Sequence, residues 1–212
     1  AYGEGPMLGV KASEFYTFLI YVTPVGSYFK SGLKALNTIV TDKYHRVATK
    51  SIGFAKAVGN YAGTLLPYKE IVEDGYDEVI FLNASNENII DEARSANIFV
   101  LKGNVLKTPM LQGSILPGIT RDSVIKVASK IFNLDVREAD VSLDELMNAD
   151  EVFFTGTAAV IAPVGRIVYK NNENRLKISF EESVTRKIRE RLIDIQYENI
   201  EDPFGWVIPL GR

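Results

Sequence analysis

"EVFFTGTAAVIAPV", Glu151 to Val164, holds two apolar, β-branched and aromatic runs separated at Gly156. Runs of this length and composition read as buried strands, so the segment predicts two strands broken at the glycine. Helical signals flank the pair on both sides. Upstream, Ser142 with Glu145 forms a capping box that opens a short helix. Downstream, a helix is predicted to open at Ser179 with Glu182 as its box partner, burying Val184, Ile188, Leu192 and Ile195.

The same mixture extends outward along the chain. "NIFVLKGNVLKTP" (Asn97 to Pro109) is the clearest hairpin, two β-rich runs around Gly103–Asn104. "LNTIVT" (Leu36 to Thr41) and "EVIFLN" (Glu78 to Asn83) read as strands, and Asn86–Asn88 as turn material. "FYTFLIYV" (Phe15 to Val22) is a continuous apolar run that suits a buried strand. Asn60 is placed to cap a helix over roughly residues 61–74, with Pro67 kinking it or shifting its start. Past "LPGITR", Val124, Ile125, Val127, Ala128, Ile131 and Phe132 repeat with helical spacing, and Thr120 is a plausible N-cap. The fold class is therefore α/β in the mixed, α+β sense. The opening "AYGEGPMLGV" has three glycines and a proline and reads as linker, which leaves one domain over residues 11–212.

Composition removes several functions. A net charge of −3 over 212 residues offers no electrostatic case for a nucleic-acid or anionic-membrane partner. No apolar run is long enough to span a bilayer and no secretory leader pattern is present. Cysteine is absent, so disulfides and thiolate metal sites are excluded, and the expected location is cytoplasmic. His45 is the only histidine, which argues against multi-histidine metal sites and most histidine relays. Neither a P-loop nor GxGxxG occurs, so the sequence offers no nucleotide phosphate cradle.

Four features could carry chemistry. In "FAKAVGNYAGTLL", Lys56 is the only charged residue among small and apolar neighbours, although lysines ordinarily sit on solvated faces. A lysine in a dry pocket would have its amine pKa lowered toward a usable nucleophile. "IIDEARSANIF" places Asp91 and Glu92 between a turn and a strand, where paired acids are usually surface. "LPGITRD" runs a Pro-Gly turn into a helix start, whose free N–H groups and dipole make an anion site, or simply an ordinary cap. "TGTAA" sets hydroxyls around a glycine break that could equally be a β-bulge. Together, an amine, an acid, an anion site and a hydroxyl-rich loop are what pyridoxal phosphate needs: a Schiff-base lysine, a carboxylate for the pyridine nitrogen, and amides for the phosphate.

These segments, in this order, resemble the class IV pyridoxal-phosphate enzymes, and specifically the branched-chain amino acid aminotransferases. The matching stretches are "KAVGNY", "DEARSANIFVLKGN", "LPGITR" and "ADEVFFTGTAAVIAPV", with "MLGV", "TPVGSYF" and "DPFGW" in support. The resemblance implies the large domain of fold type IV, a mixed sheet or pseudo-barrel flanked by helices. It implies pyridoxal 5′-phosphate as cofactor, no metal, and transamination of leucine, isoleucine or valine with 2-oxoglutarate. Lys56 then resembles the lysine that binds the cofactor and shuttles the proton, and Tyr61 the tyrosine on its phenolic oxygen. Glu92 resembles the carboxylate facing the pyridine nitrogen. Ile119, Thr120 and Thr157 resemble the phosphate contacts, with Arg46 falling where the family has an arginine near the phosphate. Thr157 and Ala158 match the turn that takes the substrate carboxylate, and Tyr28 a residue lining the substrate pocket. Family members begin with a smaller N-terminal domain. Residues 1–10 are accordingly expected to be a remnant of that domain and its linker, and residues 11–212 the cofactor-binding C-terminal domain. The implied partners are amino acids and 2-oxo acids, with a homodimer or higher homo-oligomer. Competing readings are another class IV enzyme, a D-amino acid transaminase or aminodeoxychorismate lyase, and a non-catalytic dimerising scaffold.

Overall fold

A computed structural model describes residues 1–6, 8–24, 33–177 and 179–208. Eleven strands are formed among them: β1 (Tyr2–Glu4), β2 (Phe15–Thr17), β3 (Leu36–Thr41), β4 (Glu78–Asn83), β5 (Asn86–Ala93), β6 (Asn97–Lys102), β7 (Val105–Thr108), β8 (Asp135–Glu138), β9 (Glu151–Gly156), β10 (Val160–Tyr169) and β11 (Asn172–Arg175). The helices are α1 (Val58–Ala62), α2 (Leu65–Glu73), α3 (Ile119–Lys130), α4 (Leu143–Met147) and α5 (Val184–Gln196).

Nine strands make one mixed sheet in the order β5-β4-β3-β10-β9-β6-β7-β8, with β11 paired to β10. The β3–β10, β3–β4 and β7–β8 pairs are parallel and the others antiparallel. The segment from β5 to β6 is a tight link, its Ala93 N–H donating to Ala96 O at 3.0 Å. Strands first and sixth in the order are thereby brought together, and the sheet curls into an incomplete barrel.

Period-2 alternation assigns the two faces. Ile80, Leu82, Ile98, Val100, Val152 and Phe154 point inward with Val164 and Ile167, and α4 adds Leu146 to the same core. Their neighbours Phe99, Leu101 and Phe153 point outward under α3 and α5, where Val124, Val127, Ile188 and Leu192 meet them. Phe99 and Phe153 stack there with centroids 5.1 Å apart. Val79 and Phe81 take the third patch, against Ile71 of α2. With both faces covered, the central strands read as continuous apolar runs, which is why the sequence displayed them so clearly.

The hairpin β6–β7, the strands Leu36–Thr41 and Glu78–Asn83, the break at Gly156 and the Ser142–Glu145 capping box all form as expected. Other elements differ. The opening residues are not wholly linker, because Tyr2–Glu4 pairs with Phe15–Thr17 as a separate two-stranded sheet. Only those three residues of "FYTFLIYV" are strand, and the run is not buried: Phe15, Phe18, Ile20 and Val22 are 72%, 74%, 80% and 94% exposed. Asn86–Asn88 begins β5 instead of forming the turn. The helix expected over residues 61–74 is two helices, and Pro67 falls in the first turn of the second, where a missing N–H costs nothing. Gly118, in extended geometry, is the N-cap of α3, so Thr120 lies inside the first turn.

The last helix starts later than the capping-box pattern suggests. Ser179 precedes only a 3₁₀ turn (Phe180–Glu182), and Ser183 is the true cap, its hydroxyl accepting from Arg186 N at 3.0 Å. A distant carboxylate decides the matter. Buried Glu151 accepts the N–H groups of Val184 and Thr185 at 2.9 and 2.8 Å and the Thr185 hydroxyl at 2.6 Å. Ile188, Leu192 and Ile195 are buried as predicted, while Val184 is half-buried.

Candidate active site

A cavity of about 210 Å³ opens where the β5–β6 link, the start of α3, the β9–β10 turn and the loop before α1 converge. Each wall is pinned by identifiable contacts. The Lys56 loop is drawn down by Gly53, whose position leaves no room for a Cβ: one built there would meet Ser114 O at 2.1 Å. Phe54 N donates to Gly113 O alongside, at 3.1 Å. Asn60 does not cap a helix. Its side-chain amide donates to Ile52 O and Ala55 O at 2.8 and 2.9 Å, tying the loop beneath Lys56. Lys56 itself lines the cavity but is exposed, so the dry setting expected from its small neighbours is not present in this chain. Tyr61, one turn into α1, reaches the same cavity half-buried.

Glu92, at the end of β5, supplies the acidic wall. Its side chain is 4% exposed and pairs with the Arg46 guanidinium, 3% exposed. Asn97 Nδ2 donates to Glu92 Oε2 at 2.9 Å and Leu116 N donates to Oε1 at 3.2 Å. Burial pushes the carboxyl up to about 7, against the pull of Arg46 and the Leu116 N–H. Asp91 faces the other way, accepting from Asn83 Nδ2 at 2.9 Å, with its own pKa raised by burial. The two acids of "DEARSANIF" are therefore not a surface pair: alternation sends one to the cavity and one into the barrel wall. Arg46 also donates to Ser114 O at 2.7 Å and keeps its Nε buried without a partner. Its guanidinium is engaged with the carboxylate, a placement the sequence reading did not contain.

The adjoining wall is the N-terminus of α3. Gly118 is again a close approach, since a Cβ there would lie 2.2 Å from Asn97 Oδ1. Ile119 and Thr120, whose first-turn N–H groups no helical carbonyl can reach, line the cavity at the positive end of the helix dipole. Thr155, Gly156 and Thr157 of the β9–β10 turn complete it. Thr155 Oγ1 is buried without a hydrogen-bond partner, and Val160, at the end of the turn, has φ of +59°, a strained value for a β-branched residue. Ala158 lies in an adjoining cavity of about 350 Å³ that shares Lys56 and Thr157. Arg94 borders both, its guanidinium 3.9 Å over the Tyr68 ring and its Nε 3.6 Å from Glu78 Oε1.

One structure thus gathers Arg46, Lys56, Tyr61, Glu92, Ile119, Thr120 and Thr157 about one cavity, from stretches spread over more than half the chain. The profile of the amino-transferase class IV family matches residues 3–167. The chain belongs to the class IV aminotransferases. Tyr28 lies outside the described residues. Sequence reading missed Asn97 and Arg94 in this class IV cavity. A polar residue opening an otherwise apolar strand beside Glu92 was the available signal for Asn97.

Among curated class IV relatives, this chain is 44% identical over 209 residues to branched-chain-amino-acid aminotransferase 2, chloroplastic, of Arabidopsis thaliana, covering 99% of this chain and 53% of the relative. It is 40% identical over 208 residues to branched-chain amino acid aminotransferase 1, mitochondrial, of Humulus lupulus, covering 98% and 52%. The chain spans about half the length of the curated relatives it matches. Among solved structures, the holo, PLP-form branched-chain amino acid aminotransferase of Thermobaculum terrenum superposes with a TM-score of 0.70 at 28% identity, over 79% of this chain and 53% of that one. The mixed α/β fold with its curled sheet is thus that of this family.

The relatives correct the expected location. These two are named as chloroplastic and mitochondrial proteins, which overturns the expectation of a plain cytoplasmic location. A cysteine-free composition removes the need for an oxidising compartment but carries no address among the others.

Proposed function

We propose that this chain is the pyridoxal-phosphate-binding part of an aminotransferase that acts on branched-chain L-amino acids with 2-oxoglutarate as acceptor. The observation that carries the reading is the convergence of Lys56, Tyr61, Glu92 and the α3 N-terminus on one cavity. The residues fit the group. A buried carboxylate suits a ring nitrogen, helix-start amides suit a phosphate, and an exposed lysine lines the same cavity. Bound there, pyridoxal phosphate would supply an electron sink for the charge that develops at an amino acid's Cα.

The chain's own groups then have distinct tasks. The Lys56 amine attaches the cofactor and moves the proton to and from Cα. Glu92 holds a proton on the ring nitrogen, and Arg46 steadies that carboxylate. Ile119, Thr120 and Thr157 bind the phosphate, with Tyr61 on the phenolic oxygen. Thr157 and Ala158 take the substrate carboxylate, Tyr28 lines the side-chain pocket, and the active form is a homodimer. In this reading residues 11–212 are the cofactor-binding domain and residues 1–10 the join to a preceding one. The exposed apolar run at residues 15–22 favours a preceding domain, whereas the β1–β2 sheet pairs residues 2–4 with 15–17 across the proposed boundary.

The test is covalent trapping. Pyridoxal phosphate added to the chain should give a visible absorption band, and borohydride should fix the cofactor on Lys56, located by peptide mapping. L-Leucine, but not D-alanine, should then bleach the band before reduction. Attachment elsewhere or none, or a response to D-alanine alone, would sink the proposal.

A further inference from the structure

We infer that Asn97 is a positioning residue, whose carboxamide links the Glu92 carboxylate to the Leu116 carbonyl and so fixes the spacing between the acidic wall of the cavity and the start of α3. The inference rests on Glu92 facing a cofactor ring nitrogen and the α3 start holding its phosphate.

Asn97 Nδ2 donates to Glu92 Oε2 at 2.9 Å and to Leu116 O at 2.8 Å. Leu116 O, a carbonyl, can only accept, so it dictates the amide orientation and turns Nδ2 toward the Glu92 carboxylate as well. Leu116 returns the contact, its N–H donating to Glu92 Oε1 at 3.2 Å. The result is a closed ring of three hydrogen bonds joining Glu92, Asn97 and Leu116. Leu116 O also accepts from Gly118 N at 2.8 Å, which carries the link into the N-cap of α3. Gly118 lies directly against Asn97 Oδ1, where a Cβ would sit at 2.2 Å. Asn97 is 5% exposed and anchored in β6 opposite Thr155 of β9, so its backbone cannot follow a displaced side chain.

The geometry has a chemical purpose. Ring nitrogen and phosphate are joined through the ring and a short CH₂–O arm, which confines their separation to a narrow range, so a site gripping both ends must present its carboxylate and its amides at a separation within that range. Aspartate, serine or alanine at position 97 keeps the strand but loses the paired donors. Removing one hydrogen bond to an ionised carboxylate moves its titration upward by about one pH unit.

The experiment needs no cofactor at first. In the cofactor-free chain, the ¹³C carboxyl shift of Glu92 and the side-chain ¹H–¹⁵N shifts of Asn97 are followed against pH. The Asn97 amide should titrate with the Glu92 midpoint. Asn97→Ala and Gly118→Ala, acting on the contact from opposite sides, should each raise that midpoint by about one pH unit and weaken pyridoxal phosphate binding about tenfold. An Asn97 amide that ignores the Glu92 titration in the unsubstituted chain overturns the inference, whether or not the variants fold. So does a folded Asn97→Ala or Gly118→Ala chain with an unmoved midpoint. If the coupling is present but pyridoxal phosphate does not bind, the positioning of Glu92 stands and the proposed function falls. If the cofactor binds all three chains equally, the positioning role falls and the proposed function stands.

Discussion

Arg46 and Glu92 form an ion pair with almost no solvent contact, their side chains 3% and 4% exposed. Opposite charges withdrawn from water hold each other in place but depend on each other to be tolerable there. Removing Arg46 alone should therefore be costly. Arg46→Met leaves the carboxylate buried without its cation and should lower unfolding stability by about 3–5 kcal/mol at pH 8. Arg46→Met with Glu92→Gln should recover a large part of that loss. Urea unfolding of the single and double variants measures the coupling, and a loss under about 1 kcal/mol in Arg46→Met would show the pair to be wet.

Glu92 also gives stability a pH dependence of defined sign. Burial raises its folded-state pKa to about 7 from an ordinary value of 4.5. Between those values the folded chain binds more protons at this site than the unfolded chain does. The group's contribution to stability is therefore greatest below pH 4.5, is lost as pH rises through 7, and is level above. Glu92→Gln has no such proton to lose. The stability of the natural chain minus that of Glu92→Gln should fall by on the order of 3 kcal/mol from pH 4.5 to pH 8. Glu78 is raised by burial too but cancels in the difference, while the charge of Asp91 is one of the causes that push Glu92 upward. A difference that is flat or grows with pH would contradict the assignment.

Glu151 and Ser183, not Ser179 and Glu182, should govern the start of α5. Glu151→Ala removes the acceptor of two helix N–H groups and a hydroxyl and should cost about 2–3 kcal/mol. Glu182 is exposed and caps nothing, so Glu182→Ala should stay within about 0.5 kcal/mol. Equal effects in denaturant melts would restore the capping-box reading of Ser179–Glu182.

That contrast shows what the sequence could convey. Local patterns were legible: the β6–β7 hairpin, the capping box at Ser142, and the strands buried on both faces as apolar runs. Choices settled by distant partners were not. A carboxylate 33 residues upstream decides which serine caps α5. Asn60 has the residue type of a cap but finds loop carbonyls instead. Phe15–Val22 reads as buried because apolar content states what a segment favours, not whether a surface is there to receive it. The cavity residues were legible through motif order alone, since spacing cannot bring Arg46 to Glu92 or say that Lys56 remains exposed.

Gly53 should matter to Lys56 more than to the fold. A methyl group at this position would lie 2.1 Å from Ser114 O, and the obstacle is backbone that cannot swing aside. The loop would have to lift away from residues 113–114, breaking the Phe54 N to Gly113 O bond and carrying Lys56 with it. Ser114 O is also the acceptor of Arg46, so the same shift reaches the Glu92 pair from behind. The loop is outside the three apolar cores, which confines the loss of stability to about 1–3 kcal/mol, the usual range for overpacking. A displacement of an ångström at a reacting amine, by contrast, lowers rates about a hundredfold. Gly53→Ala should therefore retain a cooperative melt while the rate of pyridoxal phosphate attachment at Lys56, followed by its visible absorption, falls by one to two orders of magnitude. Attachment at the natural rate in a folded Gly53→Ala chain would show that the loop adjusts freely and that the close approach does not set the position of Lys56.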